Sequence, residues 1–231
     1  MRPLTLWRYE ARRAGWTALL GPPAAVALGT SVLLVEPPSS DSVTARILVG
    51  VLEMAVPLVA GIGCASLVGR DPAVELQLAV PTPYRLTLLR RLAVTLGCAA
   101  VVAALTAAVL IATGWWARWP ESHGPVAGQL TWLAPTLALG AVGFAAGAVS
   151  RSPATAGGVV ATLWIFQQFF ADVAQEHRPA RLLYLFATTR GAVPGDWTAN
   201  RLALIGTAVV LLALAVVLLG RTERLIGEGD Q

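Results

Sequence analysis

Ionisable groups are scarce inside the apolar stretches of this chain, so any found there are the first candidates for chemistry. Glu53 is the one carboxylate well inside such a stretch. A charge at that depth in hydrocarbon is expensive and often functional. Pro57, four residues later, lacks the N–H that the Glu53 carbonyl would accept, so side chain and freed carbonyl together could make a polar spot. Two readings are open. Glu53 lines a cavity or proton-sensitive site, or it pairs with an arginine or snorkels. Gln167 and Gln168, near the end of a later apolar run, either line a cavity or bond a neighbouring helix. Glu53, Gln167 and Gln168 are thus the candidate substrate-cavity residues.

Other chemistries lack their residues. A Walker A loop needs a lysine to reach the terminal phosphates, and all 17 basic residues here are arginine. The only histidines, His123 and His177, fall outside the apolar runs. That disfavours stacked haem ligation, and no H-E-x-x-H or G-x-S-x-G is present. No metal site, no cofactor of its own and no enzymatic activity are expected. The net charge of +4 reads as topological, not as a nucleic-acid surface, which would need a soluble basic patch.

The elements that must position these residues are membrane spans. The 231 residues are 56% hydrophobic and 13% charged, with mean hydropathy +0.67; soluble domains carry about 25% charged residues. The expected fold is an all-α integral membrane protein, one transmembrane domain over 1–231. Its six helices lie at about 16–35, 47–69, 88–116, 130–149, 154–171 and 201–220, each long enough for a hydrocarbon core of about 30 Å. The larger arginine share, Arg2 to Arg13, Arg70, Arg85, Arg90, Arg91, Arg151, Arg221 and Arg224, falls on one side. That side is expected to be cytoplasmic, with both termini inside. Trp115, Trp116, Trp119, Trp132 and Trp197 should form an aromatic belt at the outer boundary, with Trp7 and Trp16 at the inner one. Cys64 and Cys98 lie inside spans and suit no extracellular disulfide framework. The leader is not expected to be a removable signal peptide.

Residues 3–15 carry Leu4, Trp7, Ala11 and Ala14 on one helical face, with Arg8 and Arg12 opposite, as in a helix lying in the headgroup plane. The 70–87 connection starts with Asp71, a helix cap, and Pro72 at the first helical position. Asp71 and Glu75 then share one side, Ala73, Leu76 and Val80 the other, and Pro81 and Pro83 end it. Gly140, Gly143 and Gly147 along the fourth span, and Gly157-Gly158 in the fifth, serve internal packing or a dimer seam. Ser150-Arg151-Ser152-Pro153 is a tight hairpin. The long outer segment, 172–200, contains Leu182 to Ala187, too short to span and fit for a re-entrant or interfacial piece.

These features resemble the permease subunits of ABC-2 type ABC transporters. The resemblance covers the whole chain and is carried by loose motifs. They are the leader helix, the amphipathic link with Glu75-Leu76, Pro81, Arg85 and Arg91-Leu92, the glycine-rich fourth span running into Arg151, and a last span closing on Arg221 and Arg224. Arginine stands where the family usually has lysine, and Asp71-Pro72-Ala73 stands near the place of its usual Gly-Thr pair. The resemblance implies an exporter of small apolar or amphipathic cargo in a bacterial cytoplasmic membrane. ATP and Mg would be bound by a separate ATP-binding cassette subunit, and a second permease chain would complete the path. Residues 70–85 would be the short cytoplasmic coupling helix, with Asp71, Glu75, Gln77, Arg85, Arg91 and Arg151 facing the ATPase. Two other readings stand beside it, a non-transporting sensor, scaffold or immunity protein, and an intramembrane enzyme built on Glu53.

Overall fold

The structure is a computed structural model that describes residues 15–35, 38–68, 84–119, 123–190 and 195–228. The leader helix expected at 3–15, and Asp71, Glu75 and Gln77, lie outside the described residues. Those described are predominantly helical, without strands.

Helix α1 is Trp16–Val35. Helix α2, Asp41–Ala65, starts six residues before the apolar run suggests. Ser40 caps it, its hydroxyl accepting from the Val43 N–H, and Asp41 occupies the first turn. Midway, Val51–Ala55 widens into a π-turn, in which the Val56 N–H donates to the Val51 carbonyl. Pro57 follows directly; a proline that cannot donate is one of the few causes that break helical register. Helix α3, Tyr84–Ala112, takes in residues 84–87 that the sequence reading gave to the connection. It stops four residues early, where Gly114 turns the chain at φ 78°.

Helix α4, Leu130–Ser150, ends at Arg151 in the left-handed region with φ 52°. Ser152 then caps helix α5, Pro153–Phe169, with Pro153 at its first position. Two short helices follow, α6 (Ala171–Glu176) and α7 (Arg178–Leu182). Helix α8, Trp197–Glu228, begins four residues before the expected 201. Five helices, α1 to α4 and α8, are long and apolar enough to cross a membrane.

The core is the α2–α4 pair. In each, 56% of the most apolar window is buried, against 17% to 28% in α1, α3 and α8. Close approach requires glycine: a Cβ on Gly143 would lie 2.2 Å from the Gly61 carbonyl oxygen, and one on Gly61 would lie 3.0 Å from the Leu139 carbonyl oxygen. Gly140 and Gly147 likewise face α3 and α2, so the fourth-span glycines pack internally. Gly157 and Gly158 have nothing within 4 Å of where a Cβ would be. The peripheral helices turn large apolar side chains outward, with Leu28 70%, Leu105 64% and Val209 62% exposed. So much exposed aliphatic surface suits hydrocarbon, not water. The chain is thus an all-α, multi-pass membrane protein. Cys64 and Cys98 are free.

Candidate functional site

At one end of the bundle the chain after α7 folds back between the helices. Tyr184 to Thr189 are all buried, at 3% exposure or less. Beyond turn bonds such as that from the Arg190 N–H to the Phe186 carbonyl, this capping segment has no regular structure to satisfy its backbone, so polar groups must come from elsewhere. Most come from α2, α5 and α8.

Glu53, on the π-turn and fully buried, takes four donors. Its Oε1 accepts from the Thr188 N–H at 2.9 Å and from Arg201 Nη2. Its Oε2 accepts from the Thr189 N–H at 2.8 Å and the Thr189 hydroxyl at 2.6 Å. Arg201, in the first turns of α8 and also fully buried, donates through Nη1 to the Leu185 carbonyl at 3.0 Å and through Nη2 to Thr188 Oγ1 at 2.8 Å. Thr188 Oγ1 also accepts from Trp197 Nε1 at 2.9 Å, and pairs with Thr131 Oγ1 at 3.3 Å. Asn200 Nδ2 donates to the Arg181 and Tyr184 carbonyls at 2.7 and 2.8 Å. The π-turn matters because it adds a residue to the turn and so re-aims the side chains around Glu53; such bulges recur at functional positions.

A second ring of donors closes the segment. Trp119 Nε1 reaches the Thr188 carbonyl at 3.2 Å, and Arg46 Nε the Thr189 carbonyl at 2.8 Å. Gln167 accepts from the Leu185 N–H at 2.7 Å and donates to the Leu183 carbonyl at 3.2 Å. Gln168 accepts from Arg190 and donates to Met54 Sδ at 3.4 Å. His123 stacks on Trp197 with centroids 3.8 Å apart. Burial, then the nearby Arg201 charge, hold that imidazole below its usual pKa. The Tyr184 hydroxyl is pushed up to about 12, chiefly by burial.

Of the two readings open for Glu53, the structure has the arginine pair. Both carboxylate oxygens are occupied, so Glu53 does not stand as an open cavity wall. Gln167 and Gln168 bond the capping segment, and Gln167 also borders a cavity of about 170 Å³ with Phe170 and Tyr184. Trp116, Trp132 and Trp197 are buried at 5% exposure or less. Their indole N–H groups find acceptors inside the protein. Arg85, Arg91 and Arg151 lie at the other end of the bundle and do not meet Glu53. Arg91 is 3% exposed, a poor docking surface, whereas Arg85 and Arg151 are exposed.

The residues that sequence reasoning missed are Arg201, Thr188, Thr189 and Asn200. Arg201 carried a usable signal, a second ionisable group at the mouth of an apolar run, which needs a partner if buried. Chemically the arrangement is a clamp that holds a segment in place: both Glu53 oxygens and both Arg201 Nη groups are bonded, while Arg201 Nε, Asn200 Oδ1 and the Tyr184 hydroxyl are buried without a partner among the described residues. Among the described residues no group of three His, Cys, Asp or Glu could hold a metal ion. Comparison with protein-family models, curated proteins and solved structures found no match to this chain.

Proposed function

We propose that the chain is the membrane-spanning permease subunit of an ABC-2 type exporter in a bacterial cytoplasmic membrane. In this reading α5 is the sixth span; its 17 residues match the lower length limit of about 17 for crossing. Both termini, Arg85 and Arg151 are cytoplasmic, and the clamped end faces outward. A separate ATP-binding cassette subunit binds ATP and Mg, and a second permease chain completes the path for an apolar or amphipathic substrate.

What supports the reading is the sequence of the connection between α2 and α3, Glu75-Leu76 and Pro81 leading to Arg85 at the start of α3, together with the packing of α2, α3 and α4 on one another. A displacement of that link moves α2 as a rigid body. Farther along α2 sits Glu53, which holds the capping segment. One helix thus connects the ATPase-facing end to the lock at the opposite end.

Affinity purification of the tagged chain in mild detergent tests the reading. A Walker-motif ATPase in stoichiometric amount is the expected companion. Recovery of the chain alone, under conditions that preserve a control transporter, would overturn it. In the reconstituted complex Glu75→Arg should leave ATP hydrolysis running and abolish transport; wild-type coupling would remove the link from the mechanism.

A further inference from the structure

Beside the clamp lies an open groove of about 520 Å³ between α2 and the Thr189–Arg190 turn. Its size is within the range of about 300–1,000 Å³ typical of small-molecule sites. The floor is the face of α2 bearing Ile47, Gly50, Val51 and Met54, spaced three or four apart as one helical side. The rim carries two guanidinium groups, Arg46 and Arg190. Arg46 is anchored by its Nε on the Thr189 carbonyl and lies over the Trp119 ring at 5.7 Å. Arg190 is anchored by its Nη2 on Gln168.

Those anchors leave Nη1 and Nη2 of Arg46, and Nε and Nη1 of Arg190, without an acceptor among the described residues. Neither arginine pairs with a described carboxylate. Asp41 and Glu53 on the same helix are taken by Arg118 and Arg201. Two oriented guanidinium groups, with no described carboxylate bonded to either, suit a phosphate, which arginine binds in a bidentate manner. A bare phosphate would use only the rim and leave the apolar floor uncovered. The floor is also the side of a span, where acyl chains are the local solvent.

We propose that this groove binds an anionic phospholipid of the surrounding bilayer, its phosphate against Arg46 and Arg190 and an acyl chain along Ile47, Val51 and Met54. The site stands whether or not the chain transports anything.

The test is native mass spectrometry of the full chain in neutral detergent, titrated with phosphatidylglycerol or phosphatidylcholine of matched acyl chains. The wild type should retain phosphatidylglycerol about tenfold better, the equivalent of one added charge contact. Arg190→Gln and Arg46→Gln should each erode that preference, and the double variant should abolish it; the two lysine variants should keep most of it. Gly50→Leu should weaken both lipids. Its Cβ would meet only Thr189 Cγ2, at 3.8 Å, so it fills the groove without breaking the helix. Should Arg46→Gln unfold the segment, Arg190→Gln, whose side chain is anchored only on Gln168, carries the test alone. Equal retention of the two lipids, or an unchanged preference in Arg190→Gln, would refute the site. Displacement by glycerol phosphate, with Gly50→Leu unaffected, would replace the lipid by a soluble anion and equally refute it.

Discussion

Glu53→Gln is the most informative single change, because it keeps shape and removes only charge and acceptors. The carboxylate receives four hydrogen bonds, two on each oxygen. A glutamine offers one carbonyl oxygen and one NH2. Wherever the NH2 is turned, it confronts a backbone N–H, of Thr188 or of Thr189, donor against donor. Arg201 meanwhile keeps its charge in a site with no water access. Removing one partner of a buried pair costs about 3–5 kcal/mol. At 1.36 kcal/mol per tenfold, the capping segment should open roughly a hundred to five thousand times more often.

Amide hydrogen exchange in a nanodisc reads this directly. Peptides covering 184–190 should lose protection by that factor, while peptides from the α2–α4 crossing near Gly61 and Gly143 should keep theirs. Exchange at 184–190 within about threefold of wild type would refute the clamp. The partner variant sharpens the test. Arg201→Gln alone strands the carboxylate, whereas Glu53→Gln with Arg201→Gln strands no charge. The double loss should therefore fall short of the summed single losses by about 1–3 kcal/mol, as expected for directly coupled residues. Strict additivity would mean that the two groups are not paired in the membrane.

Two further outcomes follow from the packing and the titration of the same end. Gly143→Ala places a methyl 2.2 Å from the Gly61 carbonyl oxygen and should destabilise by about 1–3 kcal/mol, lowering the thermal midpoint in detergent. Gly158→Ala, with nothing within 4 Å, should leave it unchanged or slightly higher. His123 has its folded pKa below the unfolded value of 6.5, so in that window the unfolded chain binds more protons and stability rises with pH. The contribution is complete above about pH 6.5 and is lost as pH falls toward the lower folded pKa. His123→Asn, a residue that tolerates the positive φ of 55°, should flatten this acid-side slope in exchange protection of residues 195–200, at the start of α8.

The spans were legible because hydrocarbon demands long apolar runs, and α1 falls where its run lies. Errors arose where polar residues belong to helices. Asp41 to Arg46 read as loop, yet the Ser40 cap and the Arg118–Asp41 ion pair let a polar turn be helical. Trp197 to Asn200 read as the end of a loop, because burial of Asn200 and of Arg201 after it depends on acceptors supplied by a distant segment. Glu53 was conspicuous as an acid deep in an apolar run. Arg201 was not, since an arginine beside a span reads first as a topological charge. The other half of the site, the N–H groups of Thr188 and Thr189, leaves no mark in the sequence, because every residue but proline has one.

Apolar packing alone could hold a segment at this depth about as tightly, since buried ion pairs replaced by well-packed hydrophobic residues are often no less stable. What the polar clamp adds is register. Glu53 has four donors with fixed positions, two of them consecutive backbone amides, and Arg201 reaches one carbonyl and one hydroxyl of the same segment. A shift of the segment by one residue would offer Glu53 a different pair of amides and would replace one of the two threonine hydroxyls by the side chain of Ala187 or Arg190. An apolar seat would tolerate such a slip. The clamp therefore gives the capping segment two well-separated conditions, seated with both Glu53 oxygens and both Arg201 Nη groups matched, or released with two buried charges uncovered. Because Glu53 stands on the π-turn of α2, a motion of α2 against α4 bears first on that match. A bistable contact of this kind converts a small helix displacement into an all-or-none change at the end of the bundle.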